Sequence, residues 1–545
     1  MDSLIKRLET AFREGWDNPA FTDYGTDLTF TYADIANRIA YMHLLFRELG
    51  IQPGDKIALC SKNCSNWAVA ILSVITYRAV AVPLLPDYSD EQLMMLCEHC
   101  DAKFMICGTR LAGLWPENER PMYMYDIANI MPKIISDDID GVEAKLIRRF
   151  RELYPNGITR DEVCYQEENP EDLMLLSYTS GSTGNPKGVM LPYRSLWSNN
   201  DYAMDALPLK RGDNLLFILP MAHMFGFSYD FLHGVVAGAH MYILTKPPVP
   251  SIMLSAMAKV KPVFLLCVPL VMEKIINGRV RPLLATTRMK VLLRLPVIRG
   301  IILTKIRLQL LRAFGGNINA VVMGGAALSN EVEQVLHIIR FPYTVGFGMT
   351  ECGPIITYAD KSVIRLGSCG TVAPRMELKV LSSDPQRIPG EIVTRGMNVM
   401  TGYYKNPEAT REIIDKEGWL HTGDLGTIDR DGFLYIRGRK KNMLLGADGQ
   451  NIYPEEAESQ VVSYTIFDEC IVVQRENKLV ALVYVSDATL NANGLSRQDV
   501  DGKLEYYRKI ANKHLPKYCQ ISQMEQRYEE FEKTPKRSIR RFRYE

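Results

Sequence analysis

With 545 residues, the chain is too long for a single hydrophobic core, and we expect two or more domains. Its 47% hydrophobic and 23% charged residues are typical of a soluble globular protein. The formal net charge of +1 gives no reason to expect a nucleic acid partner. The 11 cysteines are scattered and need no disulfide framework, which fits a reducing cytosol, so a cytoplasmic protein is expected.

The first part of the chain alternates between helical and strand patterns. Residues 1–15 have the spacing of an amphipathic helix, not of a signal peptide. Residues 67–86 are strongly apolar but contain Arg78 and two prolines, which predicts a buried helix followed by a strand instead of a membrane span. Helices are predicted over residues 32–49 and 65–77, and strands over residues 56–60, 79–83 and 104–107.

This alternation over residues 30–440 predicts an α/β fold, with a large N-terminal domain of mostly parallel sheets flanked by helices. Residues 108–170 show no clear pattern. The sequence pattern changes at the basic segment 437–441, after which strands are predicted near residues 470–474 and 480–485. We therefore predict an N-terminal domain over residues 1–438 and a small α+β domain over residues 439–545.

Residues 178–190, Tyr-Thr-Ser-Gly-Ser-Thr-Gly-Asn-Pro-Lys-Gly-Val-Met, carry the strongest local signal. Glycines let backbone N–H groups approach a ligand, hydroxyls add donors and a lysine adds positive charge, which suits a polyphosphate. The order matches neither the P-loop nor the dinucleotide fingerprint. A flexible linker is the alternative, but the buried strand predicted over residues 173–178 favours a ligand-binding loop. The candidate phosphate-binding residues are Thr179, Ser180, Gly181, Ser182, Thr183, Gly184 and Lys187.

Residues 346–351, Gly-Phe-Gly-Met-Thr-Glu, form a second candidate motif. Phe347 lies between two glycines and could stack on a purine. Thr350 and Glu351 are the kinds of ligand that hold Mg²⁺ and a phosphate. A surface turn is the alternative interpretation of this segment.

Two further segments carry isolated polar candidates. Residues 219–226 are predicted to end a strand with His223 in an aromatic setting, and such a histidine is more often packed in a core than catalytic. Asp424 ends the segment 418–424 after a glycine turn and is suited to accept two ribose hydroxyl hydrogen bonds. Arg439 could bind a second face of a nucleotide.

Residues 274–330 contain ten Lys and Arg residues and no Asp or Glu. Over residues 283–311 these charges are interleaved with Leu, Ile and Val. Such a segment can contact an anionic membrane surface or guide an anionic ligand. The alternative, which we favour, is a solvated helix face packed on its domain.

The spacing Cys97-Glu-His-Cys100, with Cys107 nearby, is the one candidate for a metal site. A zinc site needs about four ligands, and no second Cys/His pair stands close in sequence. Buried helix cysteines are therefore the favoured interpretation.

Together and in this order, the motifs resemble the adenylate-forming (AMP-binding) superfamily, in its acyl-CoA synthetase branch. The resemblance runs from Phe30 to Tyr544. Other similar blocks are residues 29–36, 54–58, 389–396, 402–410 and 448–458. The basic run leading into Gly-Gly-Ala-Ala-Leu at residues 324–328 is similar to long-chain fatty acid–CoA ligases. The resemblance implies that ATP, Mg²⁺ and a carboxylic acid give an acyl-adenylate and pyrophosphate, after which a thiol, usually of CoA, displaces AMP.

The resemblance also implies roles for the candidate residues. The phosphate loop would hold the β- and γ-phosphates, and Glu351 would hold the metal. The other nucleotide-binding residues would be Phe347 and Gly348 at adenine, Thr350 at the α-phosphate, and Asp424 and Arg439 at ribose. The acyl pocket would be shaped by His223, Gly324, Gly325 and Ala326. Lys441 lies where the superfamily has the hinge of its mobile C-terminal domain.

The chain departs from the superfamily pattern Lys-Thr-x-x-Gly-Lys-Ile-x-Arg near its C-terminus. Residues 533–541 read Lys-Thr-Pro-Lys-Arg-Ser-Ile-Arg-Arg, so Ser538 occupies the position of the adenylation lysine. Serine cannot supply the lysine charge, but Lys536 or Arg537 could reach the site from a shifted loop. The predicted catalytic residues are therefore Lys187, Thr350, Glu351 and Lys536.

The sequence predicts an ATP-dependent acyl-CoA ligase for a medium- or long-chain fatty acid. Transfer of the acyl group to an acyl carrier protein is one alternative, because it shares the motifs up to Asp424. A non-catalytic protein that binds nucleotide or acyl group is another, since Ser538 replaces the lysine. Peripheral membrane contact through residues 274–330 stays open.

Overall fold

The computed structural model describes residues 2–26, 28–108, 123–129, 142–179, 186–246, 248–445, 451–464, 466–476, 478–533 and 539–544. Helices and strands are numbered in chain order. Up to residue 179 they are α1 (Leu4–Glu14), β1 (Pro19–Tyr24), β2 (Thr29–Thr31), α2 (Tyr32–Glu48), β3 (Lys56–Cys60), α3 (Ser65–Thr76), β4 (Val80–Leu84), α4 (Asp90–His99), β5 (Phe104–Cys107), β6 (Tyr123–Asp126), α5 (Val142–Leu153) and β7 (Leu173–Thr179).

Residues 186–345 continue the alternation. The elements are β8 (Lys187–Pro192), α6 (Tyr193–Ala206), β9 (Asn214–Phe217), α7 (Met224–Gly226), α8 (His233–Val236), β10 (His240–Leu244), α9 (Pro250–Val260), β11 (Phe264–Cys267), α10 (Pro269–Ile275), α11 (Arg281–Ala285), α12 (Thr287–Leu292), α13 (Pro296–Ala313), β12 (Ala320–Met323), α14 (Asn330–Ile338) and β13 (Tyr343–Val345). Two π-helical turns, Phe227–Leu232 and Ile276–Val280, join α7 to α8 and α10 to α11.

The rest of the chain is richer in strands. Up to residue 445 the elements are β14 (Phe347–Gly348), β15 (Ile355–Tyr358), β16 (Thr371–Val372), β17 (Met376–Leu381), β18 (Gly390–Gly396), β19 (Gly402–Tyr403), α15 (Pro407–Ile413), β20 (Leu420–Ile428), β21 (Leu434–Arg439) and β22 (Leu444–Leu445). After residue 450 they are β23 (Asn451–Ile452), α16 (Pro454–Val462), β24 (Glu469–Arg475), β25 (Lys478–Tyr484), α17 (Asp487–Asn493), α18 (Arg497–Asp501), α19 (Leu504–His514) and β26 (Gln523–Arg527).

Local sequence explains where several helices begin. Thr31 caps α2, because its side chain accepts from the backbone N–H of Asp34 while the Asp34 carboxylate accepts from that of Thr31. Ser89 and Gln92 form the same reciprocal cap at α4. α9, α10 and α13 begin with proline, whose missing N–H and fixed φ suit the first turn of a helix.

The largest sheet has seven strands in the order β19-β8-β7-β4-β3-β5-β6. From β7 to β6 the strands are parallel, whereas β8 pairs antiparallel with β7 and β19. Every residue of β4 and β5 is buried, as expected for parallel strands covered on both faces. Two further sheets, β2-β1-β10-β9 and β11-β12-β13, are parallel except for the β1–β2 pair. The predicted α/β class is confirmed.

After residue 346 the sheets β14-β15-β16 and β17-β18-β20-β21 are antiparallel, which the sequence pattern did not indicate. Residues 452–524 contribute a separate hydrophobic cluster, in which α16 and α19 pack on β24-β25-β26. The division into domains at residue 438 stays a prediction.

Residues 108–170, which lacked a clear sequence pattern, contain β6 and α5 in their described parts. β6 has only four residues, and over residues 145–153, where burial is described, α5 buries Leu146, Ile147 and Phe150 among many charges, so neither gives a strong periodic signal. Among the described residues, no helix is long and apolar enough to cross a membrane.

Candidate active site

The strand pair β7–β8 positions both ends of the predicted phosphate loop. Thr179 and Lys187 are directly opposite in the antiparallel register, and the Thr179 hydroxyl donates to the Lys187 carbonyl at 3.4 Å. β7 is buried along most of its length, so the loop starts from a fixed base. The loop residues Ser180, Gly181, Ser182, Thr183 and Gly184 lie outside the described residues.

Tyr403 connects Lys187 with Glu351. The Lys187 ammonium lies 4.9 Å from the centroid of the Tyr403 ring, a cation–π contact. The Tyr403 hydroxyl donates to Glu351 Oε1 at 2.8 Å, and Glu351 is only 7% exposed. Burial raises the pKa of Tyr403, and the Glu351 carboxylate raises it further, so the tyrosine stays a neutral donor. The structure therefore brings together two residues that are 164 positions apart in the sequence.

Buried polar side chains hold the turn that carries Thr350 and Glu351. Asn199 on α6 is fully buried, donates to the Cys352 carbonyl at 3.1 Å and accepts from the Ile355 N–H at 3.1 Å. Ser228 donates to the Gly353 carbonyl at 2.7 Å, and Asn398 donates to the Ile355 carbonyl at 2.9 Å. Such buried hydrogen bonds fix the backbone, because losing them would leave the backbone groups unpaired.

Phe347 and Gly348 form the short strand β14 beside β15, so this segment is not a surface turn. Phe347 is half-buried and packs against the cluster of Val380, Ile392 and Leu434. A Cβ atom on Gly348 would lie 2.1 Å from the Pro354 carbonyl oxygen, so the close backbone approach requires glycine there.

Asp424 and Arg439 are register partners on β20 and β21. Arg439 Nε lies 3.3 Å from Asp424 Oδ1, and the Arg439 side chain is 70% exposed whereas Asp424 is 9% exposed. Burial raises the pKa of Asp424 to about 6, although Arg439 lowers it; Glu455 and Glu351 add to the increase. Glu351 is thus within electrostatic reach of Asp424.

As the sequence indicated, Asp424 follows a glycine turn, at Gly418, but it is not part of that turn. The glycine turn at Gly418 ends before β20, and Asp424 lies inside this strand. It follows Gly423, whose φ of +71° interrupts the strand geometry directly before the carboxylate. Paired antiparallel strands, and not a turn, therefore fix the carboxylate.

The residues predicted to shape an acyl pocket meet the Phe347 segment at the ends of β12 and β13. The Gly346 N–H donates to the Met323 carbonyl at 2.9 Å, so the two glycine segments lie side by side. A Cβ atom on Gly324 would lie 3.4 Å from the Phe225 ring and 3.5 Å from the Gly346 carbonyl oxygen. Gly325 and Ala326 follow in the same segment, and Gly325 has a φ of +81°.

His223 does not end a strand as predicted, because β9 ends at Phe217. His223 instead caps α7, where its Nδ1 accepts from the Phe225 N–H at 3.4 Å. Since Phe225 also lies against the Gly324 position, the His223 turn is next to the glycine segment.

The predicted hinge residue Lys441 lies in the 3₁₀ turn Lys440–Asn442 between β21 and β22. Asn442 Nδ2 donates to Glu455 Oε1 at 2.6 Å and so ties this turn to α16. Lys536, Arg537 and Ser538 lie outside the described residues. On either side of them, Lys533 pairs with Ile539 in an antiparallel bridge, and the Lys533 ammonium forms ion pairs with Glu469 and Glu530.

Whether the site can hold a metal ion depends on the side chains that could act as its ligands. The described part of the chain contains no group of three or more His, Cys, Asp or Glu residues that could hold a metal. Mg²⁺ commonly binds through one or two carboxylates plus substrate phosphates, and Glu351 near Lys187 fits that pattern. Cys97 and Cys100 are buried at α4, and His99 Nδ1 lies 2.7 Å from the Tyr178 hydroxyl, which agrees with structural roles.

Replacing Tyr403 with phenylalanine is expected to destabilise the protein by about 1–2 kcal/mol, because the buried Glu351 oxygen loses its donor. The cation–π contact with Lys187 is retained. Thermal unfolding and the Mg²⁺ dependence of activity measure the two effects. Tyr404→Phe is the matched control, since it removes the same atom from an exposed bond to Asp101. An equal loss of stability in the control would contradict the role given to Tyr403.

Local sequence indicates no role for four residues of the site: Tyr403, Asn199, Ser228 and Asn398. Tyr403 lies within residues 402–410, a block similar to the superfamily, and this similarity is the sequence signal that could have identified it. The three polar residues have no local signal, because their partners lie more than 40 positions away along the chain.

Comparison with known proteins defines the class to which this fold and site belong. The family model described as "AMP-binding enzyme" matches residues 8–404. The chain belongs to this family of AMP-binding enzymes. The match confirms the predicted superfamily, and with it the predicted enzyme class, an AMP-forming acid–thiol ligase.

Individual relatives are similar over most of the chain. A 4-coumarate–CoA ligase of Vanilla planifolia is 29% identical over 90% of this chain and 86% of its own length. A long-chain-fatty-acid–CoA ligase of Salmonella typhimurium is 27% identical over 86% of this chain and 82% of its own length. The relatives therefore do not single out the fatty acid branch.

Solved structures share the fold. An anthranilate CoA ligase in complex with anthranoyl-AMP has a TM-score of 0.77 at 20% identity, covering 99% of this chain and 96% of its own. An o-succinylbenzoate CoA synthetase of Bacillus subtilis, in complex with ATP and magnesium ion, has a TM-score of 0.75 at 20% identity, with 98% of both chains covered. At this identity the likeness supports the fold alone.

Proposed function

We propose that the protein joins a carboxylic acid to CoA in two steps. In the first, a carboxylate oxygen attacks the α-phosphorus of ATP, forming the acyl-adenylate as pyrophosphate leaves. In the second, the sulfur of CoA attacks the acyl carbon, and AMP leaves. The observation that carries the proposal is the convergence of Lys187, Glu351 and Asp424 around one site in a member of the AMP-binding enzyme family.

The proposed roles follow from charge and position. Lys187, at the end of the loop from Thr179, is placed to neutralise the phosphates of ATP. Thr350 lies beside Glu351 in a turn held by buried amides, where its hydroxyl can donate to the α-phosphate. When bound, Mg²⁺ would neutralise phosphate charge, and Glu351 is the residue that would hold it. Catalysis is then mainly positioning and charge neutralisation.

The adenine and ribose would be held by neighbouring strands. Phe347 and Gly348 on β14 are proposed to lie against adenine, with Gly348 allowing close approach. The Asp424 carboxylate is proposed to accept the ribose hydroxyls, and Arg439 to contact a second face of the nucleotide.

Binding of ATP is expected to weaken as the pH falls through about 6, the pKa that burial gives Asp424. The ionised carboxylate accepts two hydroxyl hydrogen bonds, whereas the protonated form loses accepting capacity, so the binding form predominates above pH 6. ATP affinity measured by calorimetry from pH 5 to pH 8 tests this. Asp424→Asn should weaken binding at pH 8 and remove the inflection. An unchanged inflection in this variant would assign it to another group.

The acid is proposed to have an apolar body, as a medium- or long-chain fatty acid does. The Phe225 ring beside Gly324, with Tyr229 at 6.4 Å between ring centroids, gives this side of the site an aromatic wall. Such a wall would also suit an aromatic acid, and the 4-coumarate–CoA ligase relatives make a hydroxycinnamate the alternative substrate. His223, Gly325 and Ala326 are proposed to line the same pocket.

The proposal also covers the acceptor of the acyl group and the rotation of the C-terminal domain. A domain over residues 439–545 would turn about Lys441 against residues 1–438 between the two steps. Lys536 would replace the lysine missing at Ser538. The alternatives are an acyl carrier protein as acceptor, and a homologue impaired in adenylation that only binds its ligands.

The test is to incubate the protein with ATP, Mg²⁺ and CoA and a panel of acids from acetate to oleate, with 4-coumarate included. We expect one apolar class of acid to give equal amounts of AMP and acyl-CoA, measured by mass spectrometry. Turnover with an acyl carrier protein that bears a free thiol, but not with CoA, would support the carrier protein as the acceptor. Formation of ADP, or no product with any acid or acceptor, would overturn the proposal.

A further inference from the structure

The helices α11 to α13 expose an unusual surface. Six residues of this segment, three basic and three aliphatic, define what we call the basic–apolar surface: Arg294, Val297, Ile301, Lys305, Leu308 and Arg312. Val297 is 77% exposed, Ile301 64% and Leu308 45%, whereas a surface helix normally turns such residues inward.

The spacing places all of these side chains except Arg294, which precedes the helix, on one stripe of α13. Ile301, Lys305, Leu308 and Arg312 follow each other at intervals of three or four residues, the spacing of one helix face. The same four residues line a single shallow depression of about 450 Å³. Ile306 and Leu310, by contrast, are buried and anchor α13 to the protein. The exposed stripe is therefore additional to the packed face.

The positive charge of this surface is not balanced locally. Residues 274–330 contain no Asp or Glu, and in the described ranges none of the three basic residues lies within 4.0 Å of a carboxylate. Arg281, on α11, is less available to a partner, because its guanidinium donates hydrogen bonds to the Asn277 side chain and to the Ser463 carbonyl. The surface therefore presents positive charge to an anionic partner.

We propose that the basic–apolar surface docks on the surface of an anionic lipid bilayer, with α13 lying in the plane of the membrane. Lysine and arginine would contact the anionic headgroups, and Val297, Ile301 and Leu308 would enter the boundary of the acyl chains. An acidic protein could match the charges, but it gives no reason for protruding aliphatic side chains between them. The combination of both features favours lipid.

The test is flotation of the full-length protein with vesicles of phosphatidylcholine alone, or of phosphatidylcholine with phosphatidylserine. We expect binding only to the anionic vesicles, and weaker binding as salt rises. The charge variant Arg294→Gln/Lys305→Gln/Arg312→Gln should weaken partitioning on the order of a hundred-fold. The apolar variant Val297→Ser/Ile301→Ser/Leu308→Ser should weaken it at least about ten-fold.

Arg387→Gln/Arg411→Gln/Lys416→Gln is the matched control, because it removes three exposed charges elsewhere and should bind like the parent. Thermal unfolding of all variants checks that they are folded. Failure of the parent to float with anionic vesicles at low salt would overturn the proposal. So would an equal loss in the control, or full binding by the apolar variant, which would indicate a polyanion or an acidic protein instead.

Discussion

Replacing Glu351 with glutamine is expected to lower kcat/KM for adenylation on the order of a thousand-fold, a loss typical of removing a key electrostatic group. Glutamine keeps the shape of the side chain and an oxygen that can accept from Tyr403, which now donates at 2.8 Å. It removes the negative charge that a metal ligand in this buried turn requires. Pyrophosphate release at saturating ATP, measured across a range of Mg²⁺ concentrations, gives the effect.

Glu377→Gln provides the control for this prediction. Glu377 lies on β17 in an exposed ion pair with Arg395, so the same chemical change occurs away from the site. Activity within about two-fold of the parent is expected, since exposed ion pairs contribute little. If Glu351→Gln kept a third or more of the parent activity with an unchanged Mg²⁺ dependence, Glu351 would not be the metal ligand.

Replacing Lys536 with alanine is expected to separate the two half-reactions. Without a lysine at position 538, Lys536 is the proposed source of positive charge during adenylation, and losing one such contact costs about 3–4 kcal/mol of barrier. Pyrophosphate release from acid and ATP should therefore fall at least about a hundred-fold. Conversion of a synthetic acyl-adenylate and CoA to acyl-CoA should stay within about three-fold.

Two further variants sharpen this result. Lys513→Ala removes an exposed lysine of α19 and should leave both half-reactions unchanged. Ser538→Lys, introduced into the Lys536→Ala protein, should restore adenylation if position 538 is the one that the superfamily uses. Equal losses in both half-reactions, or no loss in either, would remove Lys536 from the mechanism.

The elements with strong local periodicity were predictable from the sequence. The strand Lys56–Cys60 has the predicted bounds, and the helix Tyr32–Glu48 ends one residue before the predicted end. In both, apolar spacing and the flanking residues agree with the tertiary environment, so local and global preferences coincide. The same holds for the buried helix and strand within residues 67–86.

The antiparallel half of the fold was not predictable in this way. Short strands such as β14, β16 and β19 have two residues each, too few for a periodic pattern. β19 in addition pairs with β8, whose residues come more than 200 positions earlier in the chain. Local sequence carries no information about such pairings.

Within the site, the sequence indicated which residues carry charge but not how they are connected. Tyr403 contacts Glu351 across 52 positions, and Asn199 reaches Cys352 across 153. The burial that raises the pKa of Asp424 is likewise a property of the folded sheet. Such contacts emerge only when the chain is folded, so motifs identify candidates and the structure supplies their geometry.

The central claim, an acid-dependent adenylation at the site of Lys187, Glu351 and Asp424, is tested most directly by isotope exchange. Labelled pyrophosphate is incubated with ATP, Mg²⁺, the protein and the preferred acid, without CoA. We predict that label enters ATP only when the acid is present, because reversal of the first step requires the acyl-adenylate. Exchange without any acid, or none with an acid that supports acyl-CoA formation, would contradict the account.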